Sequence, residues 1–303
     1  MLEKLLRSQD SSATKLAVVG CHSKEVLESV VKSYNLGIAN PILIGDIQLT
    51  KEIASDLGFD LTYYELINEK DLGLASKRAV QLINDNRANY IMKGIVDTPT
   101  LLSEVLNKEY GLRTHSLLSH VMVYEVESYH KLLLLTDGGM NINPGVQEKI
   151  QIIKNAGIVA KALGNNKVKV AILAAKEKVD KNMQATLDAA ELMTSYENGD
   201  FEDYLILEGP ISLDLALSKE SAQIKGYKSK IAGDTDVVLV PNIETGNGIG
   251  KAITYLAKGK SAGIVMGSKV PIVLVSRSDD SDSKLLSIAL GSIISRQNTA
   301  KSY

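Results

Sequence analysis

Tryptophan is missing from this chain of 303 residues, phenylalanine occurs twice and cysteine once. The lone Cys21 excludes an intrachain disulfide framework and fits a reducing compartment. With so few large rings, small aliphatic side chains must fill the core. That suits parallel sheets, whose strands are Val, Ile and Leu runs covered on both faces. No apolar run approaches the roughly 18 residues of a membrane span. No charge of either sign dominates: the net charge is −2, so no basic surface points to nucleic acid. The start, Met1-Leu-Glu-Lys-Leu-Leu-Arg-Ser, is charged and its apolar run is too short for a signal peptide. A cytoplasmic location is expected. What remains, 45% hydrophobic and 23% charged, is the composition of an ordinary globular protein.

Short apolar runs alternate with helical spacing. Strands are predicted at 16–20, 41–45 and 90–93, and helices at 24–34, 51–57, 76–84 and 98–106. This βαβα order predicts an α/β fold with a mainly parallel sheet. Near residue 113 the pattern changes. Strands at 120–127 and 131–136 lie a few residues apart and read as an antiparallel pair. Helices follow at 146–163, 181–194, 213–224 and 250–257, with strands at 168–174, 204–208 and 237–241. Strands at 262–266 and 271–275 and a helix at 285–295 close the chain. The expected domains are 1–114 with a returning 271–303, and 115–270.

No H-E-x-x-H, C-x-x-C or G-x-S-x-G motif occurs, and the four histidines lack metal-ligand spacing. No metal site is therefore expected, and His120 inside an apolar strand reads as structural. Gly246-Asn-Gly248-Ile-Gly250-Lys251 fails the Walker template, with Thr245 at its first glycine and Ala252 after the lysine.

Five junctions at strand ends carry polar or small residues. Gly20-Cys21-His22-Ser23 supplies a helix cap at Ser23. Lys93-Gly94-Ile-Val-Asp97-Thr98 reads either as a capped helix start or as a helix N-terminus open to an anion. Thr136-Asp137-Gly-Gly-Met-Asn141-Ile-Asn143 reads as a turn or as a loop whose glycines admit a ligand. Asn242-Ile-Glu244-Thr-Gly246-Asn247 reads as a surface loop or as backbone N–H groups for phosphate. The fifth is Ser276-Arg277-Ser-Asp279-Asp280-Ser-Asp282. Its acids either complement a helix dipole or act as a base, and Arg277 must meet a structural carboxylate or an anionic ligand.

The run from Lys269 to Asp279 resembles the C-terminal signature of the phosphate acetyl/butyryltransferase family. Val240 to Asn247, Lys251 to Tyr255, Thr136 to Asn143, Leu187 to Ala189, Glu208 to Asp214 and Asn107 to Arg113 resemble further family motifs, in order along nearly the whole chain. The likeness is closer to the butyryl members than to the acetyl-specific ones. It implies a two-domain architecture like that of isocitrate and isopropylmalate dehydrogenases, with an interdomain cleft, and a homodimer. The implied reaction joins acyl-CoA and inorganic phosphate to give acyl phosphate and CoA, butyryl or branched short-chain in acyl type. No bound cofactor is implied, coenzyme A being substrate or product.

In that reaction a carboxylate, Asp282 or Asp279, takes the thiol proton, and Asp282 is preferred. Arg277 holds phosphate, and Ser276 or nearby N–H groups stabilise the oxyanion. Lys93, Gly94, Thr98, Arg113, Asn141, Asn143, Asn242, Glu244, Gly246 and Asn247 are the expected phosphate and CoA contacts. The chain departs from acetyl-type members at two positions. Ser283 stands where their base lies, and Ser103 where a phosphate-binding arginine lies, so Lys93 or Arg113 would compensate. The rival readings are a sensor that binds CoA or acyl phosphate without turnover, favoured by those two departures, and a dehydrogenase of the related fold. Arg277→Ala is expected to lower turnover strongly and raise the phosphate requirement in steady-state kinetics; near-normal kinetics would remove Arg277 from the site.

Overall fold

The structure, a computed structural model, describes residues 1–7, 14–276 and 279–300. After a short 3-10 turn at Leu2–Arg7, the elements run β1 (Thr14–Val19), α1 (Lys24–Asn35), β2 (Ala39–Gly45), α2 (Ile47–Asp56), β3 (Glu65–Asn68), α3 (Leu72–Asn84), β4 (Tyr90–Lys93) and α4 (Thr98–Val105). Next come β5 (Ser119–Glu125), β6 (Leu133–Thr136), α5 (Val146–Ala162), β7 (Val168–Leu173), α6 (Gln184–Glu197), β8 (Leu205–Ile211), α7 (Leu213–Leu217), α8 (Lys219–Ile224), β9 (Val237–Leu239) and α9 (Ile243–Tyr255). The chain closes with β10 (Lys260–Met266), β11 (Ile272–Val273) and α10 (Ser281–Ala300). It divides into two compact units: Met1–Ser116 with the chain from Ala262 onward, and Leu117–Ser261.

In the first unit the strands are ordered β3-β2-β1-β4-β11-β10. All pairs are parallel except β10 with β11. The central strand β1 is flanked on both sides: Val18 lies opposite Leu43 of β2 and Met92 of β4. Leu16 and Val18 are fully buried, as a strand covered on both faces requires. Helix α1 starts where Ser23 Oγ accepts the Val26 N–H at 3.3 Å. It turns Val26, Leu27, Val30 and Val31 into a core shared with Leu285, Ile288 and Ala289 of α10. Cys21, at the end of β1, is buried against Thr50, with Sγ 3.3 Å from Oγ1. Burial pushes its thiol up to about 11.

In the second unit the order is β5-β6-β9-β7-β8. The β5–β6 pair is antiparallel, as its spacing predicts, and the rest are parallel. At the starts of β6, β7 and β9 sits a network of charges. Asp234 takes hydrogen bonds from His130 (2.9 Å), Lys131 (2.9 Å) and Lys169. The buried Asp236 pairs with Lys131 at 2.7 Å and accepts the Lys169 backbone N–H at 2.7 Å. The network ties three parallel strand starts where no turn links them.

The structure differs from the sequence reading at particular elements. Strand β3 escapes prediction because it is a four-residue edge strand with no buried residue. The expected helix 213–224 breaks at Ser218, whose extended backbone (φ −122°) caps α8. The terminal helix begins four residues earlier than predicted, at Ser281. The main correction concerns the Gly-rich stretch after β9, which is not a loop: α9 is helical from Ile243 onward and takes Gly246, Gly248 and Gly250 into its turns. A Cβ on Gly246 would lie 2.6 Å from Gly138 Cα, and one on Gly250 2.6 Å from the Tyr124 hydroxyl. Close packing thus outweighs the poor helix propensity of glycine. No helix among the described residues is long and apolar enough to cross a membrane.

Burial works to raise the Asp234 carboxyl. The hydrogen bonds from Lys169, His130 and Lys131 outweigh it and hold the group well below its ordinary 3.8. A depressed folded-state value means stability that is present above the unfolded value and lost as pH falls through the folded one. Asp234→Asn should therefore lower urea stability near pH 7 and flatten the loss of stability below about pH 4. An unchanged midpoint at neutral pH would show the network to be neutral.

Candidate active site

Parallel strands deliver their loops to one edge of a sheet, the carboxyl edge, where open α/β folds hold ligands. In the first unit the central carboxyl ends belong to β1, β4 and β11, and β4 and β11 run side by side with Val273 opposite Met92. The loops after β1 and β4 touch through glycine. Gly94 N–H donates to Val19 O at 2.8 Å, and a Cβ on Gly94 would lie 2.1 Å from Gly20 O. No other residue fits there.

The buried Lys93 turns its ammonium back onto its own loop, to Val96 O at 3.0 Å and Gly94 O at 3.3 Å. Asp97 caps α4, accepting the Thr100 N–H and hydroxyl, each at 2.8 Å. Thr98 is the first residue of α4. The capped helix start is the reading seen here, and it lies at the carboxyl edge. Ser103 is exposed on α4, its hydroxyl bonded to Thr100 O at 2.8 Å. Arg113 is exposed, with no ion pair among the described residues. The first junction acts as a cap through Ser23, while His22 Nδ1 accepts the Asp46 N–H at 3.4 Å. Burial holds the His22 ring below its ordinary 6.5.

After β11 the chain enters the segment that carries Ser276 and the acids. Arg277 lies outside the described residues, with Ser278. Ser276 is exposed; its N–H donates to Asp279 Oδ2 at 2.9 Å, and Asp279 N–H donates back to Ser276 O at 3.1 Å. Asp280 Oδ1 accepts the Ser283 N–H at 2.8 Å and caps α10. That bond draws the Asp280 carboxyl below its ordinary value. Asp282 is exposed and pairs with Lys32 of α1 at 3.1 Å. Three neighbouring acids therefore hold three different positions. Lys284, to which sequence reasoning assigned no role, is buried in the first turn of α10 and donates to the Asp279 carbonyl. Its position was a clue, since a cation in the first turn opposes the helix dipole.

In the second unit the loop after β6 and the start of α9 form one cluster. Strands β6 and β9 are adjacent, with Thr136 opposite Leu239, and Gly138 packs on Gly246. The Thr136–Asp137 peptide is cis. Asp137 is buried and gathers the loop around itself. It accepts N–H groups of His120 (3.0 Å), Gly139 (2.8 Å) and Met140 (2.9 Å), and the Asn141 amide at 2.6 Å. Asn141 Nδ2 also reaches Leu118 O at 2.9 Å, while Asn143 is exposed. Asn242 caps α9 through Thr245, at 3.0 Å to its N–H and 2.7 Å to its hydroxyl. Glu244 and Asn247 stand exposed in the first turns. The expected contacts of this unit are thus gathered at neighbouring strand ends. Asp137, which organises them, was visible in the sequence only as an acid in a turn.

A family model described as Phosphate acetyl/butaryl transferase matches residues 69–291. The chain is 40% identical to the phosphate butyryltransferase of Clostridium acetobutylicum over 292 residues, covering 96% of this chain and 97% of that one. Among solved structures it is similar to a branched-chain phosphotransacylase from Enterococcus faecalis, at TM-score 0.79 and 32% identity, over 92% of this chain and 99% of that one. A 4-hydroxythreonine-4-phosphate dehydrogenase from Burkholderia phymatum shares the fold alone, at TM-score 0.54 and 14% identity, over 94% and 99% of the two chains.

Gly246→Ala should cost about 1–3 kcal/mol, because its Cβ meets backbone that cannot turn aside. Thermal unfolding of the variant checks this, and an unchanged midpoint would mean that the Gly138 loop gives way freely.

Proposed function

The chain belongs to the phosphate acetyl/butyryltransferase family, and on that premise we propose that it moves a butyryl or branched short acyl group between coenzyme A and inorganic phosphate. The observation that carries the proposal is the 40% identity to a phosphate butyryltransferase across nearly the whole of both chains. The likeness to the branched-chain phosphotransacylase of Enterococcus faecalis supports the branched alternative. The dehydrogenase-like two-domain architecture belongs to the same proposal, supported by the shared fold of the 4-hydroxythreonine-4-phosphate dehydrogenase. So do a homodimeric state, which light scattering tests, and a cytoplasmic location, with which a single buried thiol is compatible.

Chemistry needs no covalent enzyme intermediate when both substrates are bound together. Toward acyl-CoA, the CoA sulfur attacks the carbonyl carbon of the acyl phosphate as its proton leaves for a carboxylate. The tetrahedral intermediate then breaks its bond to the phosphate oxygen, and phosphate departs with the proton. Arg277 is the proposed clamp on the phosphoryl oxygens, a guanidinium being suited to paired hydrogen bonds. Ser276, exposed three residues beyond β11, is the proposed donor to the oxyanion.

For the base we now prefer Asp279 over Asp282. Asp282 is exposed, and its Oδ1 pairs with Lys32 on the surface. Asp279 is partly buried, its Oδ2 held by the Ser276 N–H, while Oδ1 has no partner among the described residues. A carboxylate fixed at one oxygen and open at the other is suited to receive a proton. Of the second unit's groups, Asn143, Glu244 and Asn247 are the proposed CoA contacts because they are exposed.

The first experiment follows free CoA with a thiol reagent after butyryl-CoA is mixed with the protein, with and without phosphate. Phosphate-dependent release is expected. Release without phosphate would make the protein a thioesterase, and CoA binding with no release would support the sensor reading. In the same assay Asp279→Asn should lower kcat with little change in KM, and Asp282→Asn should act weakly. The reverse ranking would return the base to Asp282.

A further inference from the structure

Two lysines are strongly buried in the first turn of a described helix: Lys149 of α5, which pairs with Asp188, and Lys284 of α10, which the proposed reaction has not yet used. Lys284 is 4% exposed. An ammonium carries three donors, and burying it without hydrogen bonds is costly. The helix dipole adds to the difficulty, since the N-terminal end of α10 repels a cation. Among the described residues its single hydrogen-bond acceptor is the main-chain oxygen of Asp279. Asp280 supplies the nearby negative charge, because Lys284 helps to draw that carboxyl down. A solvated lysine on the outer face of α10 would avoid all these costs. Its burial makes sense if the Asp279 carbonyl has to be held.

Asp279 is held at three points by described residues. Its N–H and its Oδ2 both bond to Ser276, and its carbonyl is taken by Lys284. Backbone and carboxylate are thereby fixed on the same residue. We propose that Lys284 is a positioning residue for the reaction: its ammonium anchors the Asp279 carbonyl to the first turn of α10 and so aims the Asp279 carboxylate at the substrate thiol. The inference rests on the proposed acyl transfer and deepens it. Lys284 itself touches no substrate in this scheme. The acids on either side keep separate duties, Asp280 as cap and Asp282 as partner of Lys32.

Lys284→Met keeps the length and the apolar contacts of the stem and removes the donors, and Lys284→Arg restores a cation. The full-length proteins are compared in kcat and KM for acyl phosphate, in the acid limb of the kcat–pH profile, and in amide exchange of the peptide covering Ser276–Asp279. For Lys284→Met we expect kcat to fall about tenfold or more with KM nearly unchanged, as a misplaced catalytic group requires. The acid limb should shift, local exchange should rise while the melting temperature holds, and Lys284→Arg should recover part of the rate. A rise in KM with kcat intact would overturn the proposal by making Lys284 a substrate contact. Unchanged kcat, pH limb and exchange would overturn it outright. If the Met variant fails to fold, Lys284→Gln, with a donor on a shorter stem, takes the same measurements. If the native protein shows no phosphate-dependent release, the acyl-transfer reading falls and the catalytic role with it; the exchange comparison still decides whether Lys284 anchors Asp279.

Discussion

Parallel pairing is the constraint on which this molecule depends. A parallel strand cannot be joined to its neighbour by a tight turn, so each strand must return through a crossover. Crossover helices cover both faces of the sheet and explain why fully buried Val and Leu runs make β1 and β9. Within each unit the same constraint sends the junctions after parallel strands to one edge of its sheet. The two edges are the open parts of a doubly covered sheet: the strand ends hold the polar loops, and the strand starts of the second unit hold the Asp234 network. The antiparallel pairs β5–β6 and β10–β11 are the exceptions in each unit.

Crowding at the strand ends is resolved by glycine and by carboxylates. Gly94 lets the loops after β1 and β4 meet, and Gly138 with Gly246 lets a loop lie on a helix. Where side chains are present, several satisfy specific donors. Asp97, Asp280 and the amide of Asn242 cap helices, and Asp137 collects three backbone N–H groups and an amide. Capping satisfies N–H groups that the first turn cannot pair internally.

Much of the fold was legible because its elements obey simple periodicities. Strand β4 was read at its observed limits, and α1 to within a residue, since Ser23 and the spacing of Val26, Leu27, Val30 and Val31 mark it. Edge strand β3 lacked the long apolar run that central strands show. Helix α9 was misread because glycine normally breaks helices, and only the partner backbone explains why these glycines do not. The site was legible as motifs and illegible as geometry. Nothing in the order Asp279-Asp280-Ser-Asp282 reveals which acid caps, which pairs with Lys32 and which is held by the Ser276 N–H. Lys284 carried a faint mark, a cation at the wrong end of a helix, whose meaning emerged once its burial was known.

The burial of Cys21 has a practical side. A thiol raised to about 11 and fully enclosed beside Thr50 holds almost no thiolate at neutral pH and gives a reagent no approach. It is the only cysteine in the chain. The folded protein is therefore chemically silent toward maleimides and aromatic disulfides, and a cysteine introduced anywhere on its surface becomes a unique attachment point for a dye or spin label. Native Cys21 itself then serves as an unfolding reporter, since it reacts only when the end of β1 comes away from α2.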